Sequence, residues 1–377
     1  MRCGSMLAVG GDGGQVMLVD AATGKVRWSV QAHAGTLGSA REAKRTQSRV
    51  AMSPDGRLVA SVGVSDANWK LWDAANGAEW LAGLRHDGTG SCICGVSKSG
   101  RHSSFDAGCP VNAHTCGLLA VVFSPCGQRL ATGGKDGVRI WDSQTGKAEH
   151  RMQGAVWSLS FSAEGARLAG GGWDVPIRVW DVTTGALLHT MPQIFKGYPT
   201  RVYFSPSKSR ILASTTHDTP HSHNSLWDVE SGEKLETFAG SSFAAFSPDG
   251  RTIATTSAGS SMCDMLLLDS DTGTLRLSMI CRHKGEPTSA SWSVDGRKLA
   301  SGGYDGTCKV WNSSTGALLK TITLGLKISS MVWGCDWVLD TQRTMAFAMG
   351  QHFRLGAESQ VLALDEEVVR MVLDRVL

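Results

Sequence analysis

Residues 299–316 read LASGGYDGTCKVWNSSTG, and residues 130–146 read LATGGKDGVRIWDSQTG. Each stretch opens as a strand, turns tightly at GGYDG or GGKDG, alternates into a Trp and ends on a second turn. In that second turn an Asp or Asn stands four positions before a Gly. The same offset recurs in DAATG (20–24), DAANG (73–77), DVTTG (181–185), DVESG (228–232) and DSDTG (269–273), making seven copies with DSQTG (142–146) and NSSTG (312–316). An Asp or Asn side chain caps such a turn, and Gly supplies the positive φ that closes it. The residue before each anchor is apolar: Val19, Trp72, Trp141, Trp180, Trp227, Leu268 or Trp311.

A second family of turns precedes most anchors: SPDG (53–56), SPCG (124–127), SAEG (162–165), SPSK (205–208), SPDG (247–250) and SVDG (293–296). Alternating apolar residues flank each one, so each joins two strands. The unit is therefore four short strands, a to d, with the last four anchor spacings at 39–47 residues. Regular short strands of this period predict an all-β array of propeller blades, and closing the array into a ring removes its exposed edges. The first unit starts at strand b (MLAV, 6–9), while KISSMVWGCDW (327–337) has strand character and no blade of its own. Pairing the two completes a seventh blade and locks the ring.

These motifs resemble the WD40-repeat β-propeller family over roughly residues 5–340. The resemblance implies a polar tetrad inside a blade: His before strand a, Ser or Thr in strand b, Asp in the b–c turn and Trp in strand c. His283, Ser301, Asp305 and Trp311 match it, as do His114, Thr132, Asp136 and Trp141, with the first three members at the same 18- and 4-residue offsets. The 155–192 unit has Asp174 and Trp180 but Gly170 at the hydroxyl position and no suitable His. The 241–281 unit has Leu268 in place of Trp. Apolar packing is expected to dominate in those blades.

The bulk composition agrees with such a fold. The chain has 42% hydrophobic residues, 45 Gly, and 13 Trp against 3 Tyr, a bias towards tight turns and buried indoles. A net charge of +3 gives no pull towards nucleic acid or an anionic membrane. MRCGSMLAVGG has no apolar stretch of signal-peptide length, and no run approaches the ~18 apolar residues of a membrane helix. The ten scattered cysteines are read as reduced thiols, which points to an intracellular protein, cytoplasmic or nuclear. The predicted layout is a propeller over 1–340 with an inserted loop at 85–113, then a tail at 341–377. Within the tail, DEEVVRMVLDRVL (365–377) reads as a short amphipathic helix, packed on the propeller or offered to a partner groove.

Strands alternate in direction, so a–b and c–d turns share one face and b–c and d–a connections share the other. The long connections, 33–48, 85–113, 215–223 and 257–263, all belong to the second face. Loops on a rigid scaffold carry recognition, so binding is expected there. Just before the b–c turn Asp, or at the matching position, stand Lys135, Trp173, His217 and Tyr304, the candidate contact residues, with 85–113 as a selectivity element. Cys92, Cys94, Cys109 and Cys116 do not have zinc-knuckle spacing, HDTPHSH (217–223) reads as a polar loop, and REAKRTQSR (41–49) reads as a solvated basic loop able to attract an acidic partner. No catalytic motif, metal site or cofactor site is indicated. The expected function is a non-enzymatic scaffold, a monomeric propeller within a larger complex, binding proteins or peptides. Two other readings stand beside it. One is a substrate receptor of a cullin-type ubiquitin ligase; some WD40 receptors carry Arg two places after the anchor, where this chain has Ala75, Gln144, Thr183, Glu230 and Ser314. The other is a propeller enzyme with a site in its channel.

Overall fold

A computed structural model of the chain describes residues 6–33, 48–63, 68–82, 117–172, 175–192, 200–215, 223–239, 241–257, 264–280, 283–284 and 287–334. They form twenty-eight strands in seven four-stranded antiparallel sheets, and no helix occurs among the described residues. Blades two to seven are each continuous in sequence and begin with inner strands Ser48–Met52, Leu118–Phe123, Ser158–Phe161, Thr200–Phe204, Ser241–Phe246 and Pro287–Trp292. Blade one takes Met6–Gly11, Gln15–Asp20 and Val26–Gln31 from the start of the chain and its inner strand, Ile328–Gly334, from far along it. Leu7 pairs with Trp333 and Val9 with Met331, so the ring is closed by backbone hydrogen bonds between the two ends. Inner strands of successive blades are neighbours all the way round, including those of blades seven and one.

Blades pack face to face through seven apolar clusters, one for each blade-to-blade interface. Met6, Leu18 and Trp28 of blade one meet Val50, Val59 and Trp72 of blade two, and Val9 and Val19 meet Val310 and Ile322 across the closure. The other clusters join blades two to three, three to four, four to five, five to six and six to seven. Both faces of each sheet are thus covered only when every neighbour is present, which is why a single blade cannot stand alone.

Turn chemistry explains the repeated sequence. In six of the seven anchors the Asp or Asn accepts two backbone N–H groups; Asp142 takes those of Gln144 (3.1 Å) and Thr145 (2.7 Å). The glycine four residues on has φ of 65–76° at every anchor, where a Cβ would be strained. Between strands a and b, Ser53, Ser247 and Ser293 hydroxyls accept from the residue five further on and donate to the turn Asp at 2.6 Å.

Connection lengths divide by face. Every a–b connection inside a continuous blade and every c–d connection is five residues long, while b–c and d–a connections range from 1 to 35 residues. Met6 and Gly334 pair on the constant-length side, so the ring's two chain ends sit opposite the variable face.

Candidate functional site

The variable face is built on polar networks inside the blades. In blade seven the Trp311 indole N–H donates to Ser301 Oγ (3.0 Å), the Ser301 hydroxyl meets His283 Nε2 (2.9 Å), and His283 Nδ1 faces both oxygens of Asp305 (3.2 Å). That order of donors fits a neutral imidazole carrying its proton on Nδ1. Burial pushes the His283 pKa down, and Asp305 opposes it only in part. Burial would raise the Asp305 carboxyl, but N–H groups of Lys284 and Thr307 and the Thr307 hydroxyl outweigh it and hold the group at about 2. The network therefore pins the b–c turn that carries Tyr304.

Blade three has the Trp141 indole on Thr132 Oγ1 (2.7 Å), and Asp136 pairs with the buried Arg139 at 3.1 Å. His114 lies outside the described residues. Blade two holds a triad that the sequence reading did not assign: Trp72 donates to Ser61 Oγ (2.8 Å), which meets His33 Nε2 (2.9 Å). The 28 residues between His33 and Ser61, against 18 in the other two networks, hid it. The remaining blades break the pattern at one or both positions. In blade four Gly170 takes the hydroxyl position, two residues along from Leu168, the strand partner of Trp180; a Cβ there would lie 2.7 Å from the indole, so no hydroxyl fits. In blade five Ala213 takes the hydroxyl position, and the Trp227 N–H has no acceptor. Blade six has Thr255 opposite no Trp, its hydroxyl bonded instead to Phe243 O at 2.9 Å.

Of the four candidate contact residues, Lys135 and Tyr304 are described. Both are exposed, Tyr304 by 49%, on b–c turns of blades three and seven with blades one and two between them. Trp173, His217 and the 85–113 insertion lie outside the described residues, as do Cys92, Cys94, Cys109, Cys116 and the 365–377 segment. Among the described residues no cluster of His, Cys, Asp and Glu could hold a metal ion, and no helix is long and apolar enough to cross a membrane. Cys308 is buried against Met331 Sδ (3.4 Å), and burial pushes its thiol up to about 12.

The channel wall, formed by the inner strands, carries features that are not legible in the sequence. Inner strands of neighbouring blades are stitched by hydroxyls: Ser158 and Ser160 accept from Val202 N (3.2 Å) and Phe204 N (2.9 Å), and Ser289 and Ser291 from Met331 N (3.1 Å) and Trp333 N (2.8 Å). These bonds satisfy strand-edge amides that the ladders leave open. Arg49 and Arg201 begin the inner strands of blades two and five, in the matching triplets Ser48-Arg49-Val50 and Thr200-Arg201-Val202. In sequence Arg49 belongs to the basic stretch 41–49 and reads as part of a solvated loop. It is instead half-buried in the first strand of blade two, because ring closure brings the inner strand of blade one beside it.

Residues 43–73, 109–142 and 275–312 match the family model described as WD domain, G-beta repeat. The matched segments end on Asp73, Asp142 and Asn312, in blades two, three and seven. Those are the blades in which a strand-b hydroxyl accepts a strand-c indole. The chain carries WD40 repeats in three places of a seven-bladed β-propeller. It is 26% identical over 277 residues to Protein tipD of Dictyostelium discoideum, covering 59% of this chain and 44% of that protein. It is 24% identical over 319 residues to autophagy-related protein 16 of Arabidopsis thaliana (70% of this chain, 60% of that one). A guanine nucleotide-binding protein subunit beta of Nicotiana tabacum is 22% identical over 227 residues, with 56% and 60% covered. The chain spans between 44% and 60% of the length of these relatives.

Proposed function

We propose that this propeller is a non-enzymatic, intracellular interaction scaffold that holds protein or peptide partners on its variable face, as one ring within a larger assembly. One observation carries the reading. Connections on one face keep a constant five residues, while all variation in length, from 1 to 35, falls on the other. A surface that only needed to close strands would not differ in this way between its two sides, and recognition concentrates where a rigid frame displays variable loops. The relatives support it: several are named as a subunit or a cofactor of an assembly, including a G-protein beta subunit and a cofactor of the APC complex. The absence of Arg two places after each Trp-preceded anchor gives the ubiquitin-ligase reading no support.

A crosslinking capture from cell extract tests the proposal. The wild type is compared with a folded variant carrying Trp173→Ala and Tyr304→Ala, with 88–112 replaced by a short Gly/Ser linker. Specific proteins held by the wild type and lost from the variant are the expected result. The same set captured by both would move binding to the constant face, the rim or the C-terminal segment.

A further inference from the structure

Two arginines from blades far apart in sequence stand near enough at the channel mouth for the charge of one, Arg201, to act on the other, Arg49. Arg201, on the inner strand of blade five, reaches past blade six and donates to Thr288 O on the inner strand of blade seven (3.1 Å). Arg49, from blade two, donates to Ser329 O on the inner strand of blade one. Those two acceptors lie on adjoining strands, and the Thr288 hydroxyl ties them by donating to Ile328 O at 2.8 Å. All four residues stand at the starts of inner strands, where the chain arrives from the variable face.

A guanidinium offers five N–H donors. Each of these uses one on a neutral carbonyl, and among the described residues neither forms an ion pair. Lys327, just before the inner strand of blade one, adds a third cation whose charge reaches Asp12. Asp12, whose N–H donates to Lys327 O (2.9 Å), is the carboxylate whose charge reaches Arg49, yet its buried Oδ1 has no hydrogen-bond partner and it pairs with neither arginine. Burial raises the Asp12 carboxyl against the pull of Lys327 and Arg49. Burial, with the Arg201 charge acting the same way, lowers Arg49 to about 10. Like charges drawn together in a partly desolvated channel are unfavourable unless something neutralises them.

We propose that the channel mouth on the variable face binds an oxyanion, a carboxylate or phosphoryl group borne by a partner peptide, between Arg49 and Arg201. The fork geometry of two guanidiniums suits the paired oxygens of either group. The site rests on the reading of this face as the partner-binding face and names the chemistry recognised at its centre.

Arginine Nε–Hε resonances followed by NMR test it directly, with N-acetyl-phosphoserine amide, N-acetyl-glutamate amide and the neutral N-acetyl-glutamine amide as probes. We expect saturable shifts of Arg49 and Arg201 with one or both anionic probes, none with the neutral one, and weaker binding as salt rises. The stronger anionic probe identifies a phosphoryl or a carboxylate source. Arg49→Gln and Arg201→Gln should each weaken binding about tenfold, the equivalent of ~1.4 kcal/mol, while Arg151→Gln on the outer strand of blade three should not. If a Gln variant fails to melt as the wild type does, Arg201→Lys, which keeps charge and loses the fork, should bind at an intermediate level. No saturable shift, or equal binding by the neutral probe or by folded Gln variants, would overturn the site. Absent anion binding with partner capture still lost from the variable-face variant overturns the anion site alone. Anion binding with unchanged capture by that variant overturns the variable-face reading instead.

Discussion

Trp311 donates its indole N–H to Ser301 across 3.0 Å, and the same Ser301 hydroxyl closes on His283 at 2.9 Å, so one side chain serves two buried partners. Removing it orphans both. Ser301→Ala should lower unfolding stability by about 2–3 kcal/mol, since each buried polar group left unsatisfied costs on the order of 1–3 kcal/mol. Urea unfolding followed by Trp fluorescence measures it. A loss below about 0.5 kcal/mol would show that the network is decorative.

Blades four and five make opposite predictions at one structural position. Ala213→Ser would offer the unpaired Trp227 indole an acceptor and should stabilise the protein by about 1 kcal/mol. Gly170→Ser should destabilise it, because its Cβ would lie within 3.0 Å of the Trp180 ring and of Val156. Paired thermal melts check the signs; two shifts of the same sign would refute the positional argument.

Acid should act on blade seven in two windows. His283 is depressed by burial, so the unfolded chain takes up a proton at higher pH than the folded one, and its contribution declines as pH falls below about 6.5. Asp305 is held at about 2, so its contribution is present above the ordinary carboxylate value and fades as pH falls towards 2. Melting temperature measured from pH 7.5 to 5 should therefore fall more steeply in the wild type than in His283→Asn. Parallel slopes would mean that other groups set the acid response.

Ring closure gives a fourth expectation. Truncation after Lys327 removes the strand that pairs with Met6–Gly10 and the Met331 and Trp333 side chains that pack between blades seven and one. The truncated chain should lose cooperative unfolding and bind a hydrophobic dye, as each blade face depends on its neighbour. A truncated chain melting like the full one would contradict closure by the last strand.

The fold was legible because its signals are local. Seven anchors at a constant internal offset announced the turns, and the alternating residues at 6–9 and 327–337 announced a shared blade, which the Leu7–Trp333 and Val9–Met331 pairs make. The channel mouth was not legible, because it is assembled by distance. Arg49 follows a basic stretch and reads as part of it, and only closure of the ring sets its side chain beside Ser329. His33 was missed for a related reason: a long connection stretches its separation from Ser61, while the contact itself is unchanged. The triplets Ser-Arg-Val at 48–50 and Thr-Arg-Val at 200–202 were the available clue, an arginine at the same position of two inner strands.

The central claim is that partners meet the variable face. A photo-crosslinking amino acid placed at Tyr304, exposed on that face, and separately at Ser314, exposed on a five-residue turn of the opposite one, tests it most directly in living cells. The account predicts discrete protein adducts from position 304 and none from position 314. Adducts from 314 alone would contradict it.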